Sequence, residues 1–132
     1  MKARGDAKGY ERLWIEDERW ALAGLGPAHA RGQHRARAVE GEAVLAVPLR
    51  EPLPLRGRLR AYAAEPCAVE VDVAGEPLAL ALRPGWHDYA LPYAGPWPAG
   101  IVQVRLRAAC REGMELAWLD VFLPGSDPMR RP

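Results

Sequence analysis

Residues 68–92, AVEVDVAGEPLALALRPGWHDYALP, decide the fold class. Val69, Val71 and Val73 alternate with Glu70 and Asp72, and Gly75 ends the run. Leu78, Leu80 and Leu82 then alternate with Ala79 and Ala81. Arg83-Pro84-Gly85 turns the chain again before a third run, Trp86 to Leu91. Alternation with a period of two, bounded by Gly and Pro, marks half-buried antiparallel strands, so the stretch reads as a three-stranded meander.

The same pattern extends outward. On the N-terminal side, residues 58–64 (RLRAYAA) put Leu59, Ala61 and Ala63 on one face and are expected to form a hairpin with residues 68–74. That pairing sets Arg60 opposite Asp72 and Tyr62 opposite Glu70. Residues 43–49 (AVLAVPL) read as a strand whose Pro48 favours an edge. Residues 26–42, rich in Arg, Gly and Ala with little apolar periodicity, read as a long loop. Residues 18–25 (ERWALAGL) fit strand and helix alike, and residues 10–16 (YERLWIE) read as a strand. On the C-terminal side, residues 101–107 (IVQVRLR) alternate cleanly, and residues 115–123 (ELAWLDVFL) are apolar on both faces, as in a strand covered on both sides. The expectation is an all-β, antiparallel, jelly-roll-like β-sandwich of about eight strands. It forms one domain over residues 10–124, between a flexible N-terminus (1–9) and a C-terminal tail (125–132).

A chain of 132 residues is long enough for one such core and short for two. The formal charge of +1 gives no overall footprint for nucleic acid, and no apolar run approaches the ~20 residues of a membrane-spanning helix. Neither partner is expected. Residues 1–10 have no apolar segment of signal-peptide type, so the expected compartment is the cytoplasm. Asn and Thr are absent and Ser occurs only at Ser126. Heat adaptation and a GC-rich genome would each produce that bias.

No enzyme is expected. The lone serine lies in the tail, no phosphate-binding or dinucleotide loop is present, and Asp88 and His87, as strand neighbours, point to opposite faces. His29, His34 and His87 match no zinc spacing. Residues 93–100 (YAGPWPAG) hold two aromatics in a loop stiffened by Pro and Gly. Tyr93 and Trp97 are the candidate ligand-binding residues, as a platform on which a sugar ring could stack. The competing reading folds Trp97 back to cap the sandwich. Counting strands places Cys67 and Cys110 at the same end, which leaves a disulfide and two free thiols both open.

Residues 44–124 resemble the galactose-binding-domain-like jelly roll, the β-sandwich of many carbohydrate-binding modules. The likeness rests on the run from Val69 to Gly75, on Gly85-Trp86-His87-Asp88-Tyr89 leading to Leu91-Pro92, and on Trp118 to Pro124 with Asp120 amid apolars. The resemblance implies a non-catalytic binding module with carbohydrate as the leading ligand. The alternative is a structural or protein-interaction domain, including a homo-oligomer. Some members hold a structural calcium with acidic residues of the first and last strands, which here would be Glu16, Glu18 and Asp120. No other cofactor is implied.

Overall fold

In a computed structural model of the chain, residues 10–14, 21–32, 34–93 and 95–123 are described. Among them are ten strands and no helix: β1 (Tyr10–Trp14), β2 (Ala21–Leu25), β3 (His29–Arg31), β4 (His34–Leu49), β5 (Arg56–Ala63), β6 (Cys67–Val73), β7 (Glu76–Leu82), β8 (Gly85–Leu91), β9 (Gly100–Ala108) and β10 (Glu115–Phe122). Every pairing between them is antiparallel.

The strands form two sheets. The first runs β8-β5-β10, and the far edge of β10 is taken by β1 and by the start of β4. The second runs β7-β6-β9-β4-β2. Inward residues of both sheets share one core: Leu59, Leu116, Leu119 and Val121 from the first, Val47, Val69, Val71, Val104 and Leu106 from the second. Each would contribute roughly 1.5–3 kcal/mol of side-chain burial. Strand β10 is buried at every position from Leu116 to Phe122, as its two apolar faces require.

The β6–β7 hairpin forms as read. Its Ala74-Gly75 turn has positive φ at both residues (53° and 88°), the geometry that matches strand twist, and Asp72 Oδ1 accepts the Gly75 N–H at 2.7 Å. The third strand does not complete a meander. After Arg83-Pro84 the chain crosses to the other sheet, where β8 pairs with β5 rather than β7. Tyr89 Oη ties the crossover down by accepting the Arg83 N–H at 2.8 Å.

The expected β5–β6 hairpin is likewise absent, because residues 64–66 carry the chain from one sheet to the other. Arg60 therefore lies opposite Asp88 rather than Asp72, and Tyr62 opposite Trp86 rather than Glu70. Glu70 instead pairs with Arg107 of β9.

The largest correction is β4. Its first half falls in the stretch read as a loop, because only Ala36 and Val39 are buried between residues 35 and 42 and no apolar alternation shows. Backbone partners make it a strand: it pairs with β3, with β10 at Arg37 and Ala38, and with β2. Gly41, at φ 74°, lies at the bulge where β4 leaves the first sheet for the second. Opposite it, Gly24 of β2 has φ 81°, and a Cβ there would come within 1.9 Å of the Glu42 carbonyl oxygen, so only glycine fits.

Candidate functional site

Trp97 is 0% exposed and offers no face to a ligand. Its backbone N–H donates to the Leu53 carbonyl (2.8 Å) and its carbonyl accepts the Leu53 N–H (3.0 Å), which pins Trp97 onto the β4–β5 connection and turns the indole into the core. The capping reading replaces the platform for this residue. Tyr93 is half-buried, meets Trp97 edge-on at 6.0 Å, and lines a cleft of about 360 Å³.

Of the candidate calcium ligands, Glu16 and Glu18 lie outside the described residues. Asp120 is 0% exposed, and its carboxylate lies 3.4 Å from the guanidinium of Arg58, itself packed over the Phe122 ring. Among the described residues no group of His, Cys, Asp or Glu is arranged to hold a metal ion. Cys67 and Cys110 are bridged, with Cα atoms 5.0 Å apart.

A different set of residues gathers at the end of the sandwich that carries the disulfide. In the β5–β8 register Tyr62 stands opposite Trp86, and both are half-buried on the outer face of the first sheet. Their rings lie 5.6 Å apart at 52°. Two residues along, Arg60 Nη1 and Asp88 Oδ1 pair at 2.6 Å, with the guanidinium 5.8 Å from the Trp86 ring. On the other flank the β3–β4 hairpin lays the Arg31 guanidinium 4.5 Å above the Tyr62 ring. Glu115, the first residue of β10, holds that arginine in a two-pronged pair with both contacts at 2.7 Å, and also accepts from His29 Nε2 at 3.0 Å. Arg31, Tyr62, Met114 and Glu115 line a pocket of about 100 Å³. That is too small to enclose a ligand, so a ligand would lie across it.

The Glu115 carboxyl illustrates the local balance. Burial alone would push its pKa up, but the hydrogen bonds from Arg31 and His29 outweigh burial and hold it below the ordinary carboxylate value. The same hydrogen bond raises Arg31. The site thus combines aromatic surface with fixed donors and acceptors whose charges compensate one another. Asp88 and Glu115 are each committed to an arginine, whereas Glu112, which also lines the pocket, has no ion pair to a described residue.

No family model and no curated protein matches the sequence. Solved structures do match in shape. A family 35 carbohydrate-binding module from Clostridium thermocellum is similar at 12% identity and TM-score 0.66, over 86% of this chain and 98% of that one. The GH26-CBM35 β-(1,4)-mannanase of Podospora anserina is similar at 14% identity and TM-score 0.71, over 95% of this chain but 29% of that one. The carbohydrate-binding module CBM6cm-2 from Cellvibrio mixtus lichenase 5A, in complex with cellotriose, is similar at 13% identity and TM-score 0.57, over 85% and 95%. The chain therefore has the galactose-binding-like jelly-roll fold of the family 35 and family 6 modules.

Proposed function

We propose that the protein is a non-catalytic carbohydrate-binding module whose ligand lies across Trp86 and Tyr62. The observation that carries this reading is the pairing of those two half-exposed rings, flanked by the Arg60–Asp88 and Arg31–Glu115 pairs. The C–H face of a pyranose packs on an aromatic ring, and vicinal hydroxyls take hydrogen bonds from such charged pairs. The solved structures of the same shape are named as carbohydrate-binding modules, which supports the ligand class. The competing reading, a docking domain or homo-oligomer, has less support: among the described residues Ile101, 69% exposed, is the lone large apolar side chain at the surface.

Retardation of the protein in native gels cast with soluble mannan, xylan or β-glucan tests the proposal, with tryptophan fluorescence as a second readout. Wild type is expected to be retarded by at least one glycan. Trp86→Ala should weaken binding about 30-fold, the equivalent of losing a contact of about 2 kcal/mol. Binding unaltered by Trp86→Ala would move the site elsewhere, and no retardation by any glycan would overturn the function.

A further inference from the structure

We propose that the open edge of β7 pairs with the same edge of a second copy of this chain, antiparallel and about a two-fold axis at Leu80. Strand β7 ends the second sheet: it pairs with β6 on one side, and no described strand pairs with it on the other. Residues 78–82 (LALAL) carry no charge, and Ala79 and Ala81 are exposed. A bare, uncharged edge is a template for another strand.

The register follows from the backbone. Val73 and Glu76 close the two-residue turn and are hydrogen-bonded to each other within the hairpin. Even-numbered residues of β7 therefore turn their N–H and C=O groups towards β6, and odd-numbered ones turn theirs towards the open edge. Arg83 agrees, since its N–H donates to Tyr89 Oη rather than to β6. At the other end Pro77 has no N–H. Between these two limits, Ala79 and Ala81 each keep an N–H and a C=O with no bond to a described residue. An axis at Leu80 sets Ala79 opposite Ala81 of the second copy and Ala81 opposite its Ala79, so every one of these groups finds a partner. An axis one residue to either side fails. At Ala79 it sets Ala81 against Pro77, which has no N–H to give, and at Ala81 it sets Ala79 against Arg83, whose N–H is already taken.

The side chains fit the same axis. The run Leu78-Ala79-Leu80-Ala81-Leu82 is a palindrome about Leu80, so Leu80 meets Leu80 of the second copy and Leu78 meets its Leu82. Leu78 and Leu80 are only half-buried at the rim of the core, and a second copy would cover them. Charge agrees as well. Glu76 and Arg83 lie at opposite ends of the strand, both exposed and neither ion-paired to a described residue, and antiparallel pairing brings the Glu76 end of one copy to the Arg83 end of the other. The pairing runs through backbone groups rather than an apolar patch, so it adds to the binding function and does not compete with it. An axis perpendicular to the paired strands' sheet keeps both copies the same way up and turns both Trp86–Tyr62 surfaces to one side. That consequence rests on the proposed glycan surface; the pairing does not.

Sedimentation equilibrium of the full chain between about 1 µM and about 1 mM tests the pairing over the range in which small interfaces dissociate. The mass should rise with concentration from 14.5 kDa towards twice that value. Ala81→Pro removes an edge-facing N–H and leaves the β6 ladder intact, so it should keep the wild-type circular dichroism while weakening the dimer at least tenfold. Leu80→Cys should crosslink to itself under mild oxidation, because non-hydrogen-bonded antiparallel partners lie within disulfide reach, whereas Ala79→Cys, opposite residue 81, should not. If Ala81→Pro does not fold, this crosslinking pair decides alone. A monomer at every concentration overturns the proposal, as does a dimer that folded Ala81→Pro leaves undiminished, or crosslinking of Ala79→Cys in preference to Leu80→Cys. Trp86→Ala should leave the dimer intact, so a dimer that binds no glycan counts against the glycan reading alone.

Discussion

Reducing the Cys67–Cys110 bridge should lower stability by an amount that its position in the chain fixes. The bridge spans 43 residues, from the start of β6 to the β9–β10 loop. Closing a loop of that length removes about 13 cal/mol/K from the unfolded chain, or about 4 kcal/mol at 25 °C, with about 2–4 kcal/mol the usual range. For a chain of 132 residues, 1 kcal/mol corresponds to a shift in Tm of about 3–4 °C. The oxidised protein should therefore melt roughly 7–14 °C above the reduced form. The fold should survive reduction at room temperature, because other bonds hold the same loop: Ala109 N–H to the Ala68 carbonyl at 2.8 Å, and Glu112 N–H to Glu65 Oε2 at 3.1 Å. The assay is a thermal melt followed by circular dichroism, with and without a phosphine reductant. Thiols are counted after denaturation to confirm that the bridge was intact and then opened. Two free thiols in the untreated protein would refute the bridge, and equal melting temperatures with the bridge verifiably opened would refute the loop-entropy reasoning. The Cys67→Ala/Cys110→Ala double variant should track the reduced protein to within about 1 kcal/mol, the margin left for the small buried volume lost at Cys67.

Three further outcomes are expected. The Glu115 pKa is lowered on folding, so its contribution is fully present above the ordinary carboxylate range and is lost as pH falls through the folded value. The side-chain carboxyl carbon resonance of Glu115 should titrate at a lower pH than that of an ordinary glutamate. Glu115→Gln should remove that titrating resonance, and a resonance that persists in the variant would assign it to another group. Asp120→Ala should cost about 3–5 kcal/mol in urea unfolding, because it removes the fully buried carboxylate that faces the largely buried Arg58 guanidinium, whereas a chelator should leave the Tm of wild type unchanged. A drop in Tm with the chelator would restore the calcium reading. Trp97→Ala should cost about 3–5 kcal/mol as a core truncation, while a value below about 0.5 kcal/mol would mean that the indole is a surface platform after all.

The parts of the fold legible in the sequence are those where one face of a strand is continuously apolar. The β6–β7 hairpin, β9 and β10 were readable for that reason, since Val69 to Val73 and Val102 to Leu106 can face only a core. The first half of β4 was not. Its side chains carry almost no burial signal, and what makes it a strand is the supply of backbone partners from β2, β3 and β10, which no local window contains. The arginines that made residues 26–42 look like a solvated loop are partly structural: Arg37 donates to the Leu25 and Gly26 carbonyls, and Arg31 to Glu115. Composition cannot distinguish an arginine in water from one that ties down a corner of the chain.

The candidate site was hidden by a choice of partner rather than by any weakness of its own residues. Period-two alternation states which face a residue occupies but not which strand lies beside it. Joining β5 to the next strand in sequence puts Tyr62 beside Glu70 and leaves Trp86 alone. Joining it to β8, as the structure does, brings Tyr62 to Trp86 and Arg60 to Asp88 in a single step. Both segments carried the clue. Arg60 and Tyr62 are two apart on one face of β5, and Trp86 and Asp88 are two apart on one face of β8, so an antiparallel pairing that matches aromatic to aromatic necessarily matches arginine to aspartate. The β5–β6 pairing satisfies only the charge half of that pattern, setting Arg60 against Asp72 but Tyr62 against Glu70. Outward aromatics interleaved with complementary charge therefore discriminate between strand pairings that inward valines and leucines leave equivalent, and here the same residues that choose the pairing form the surface proposed to bind sugar.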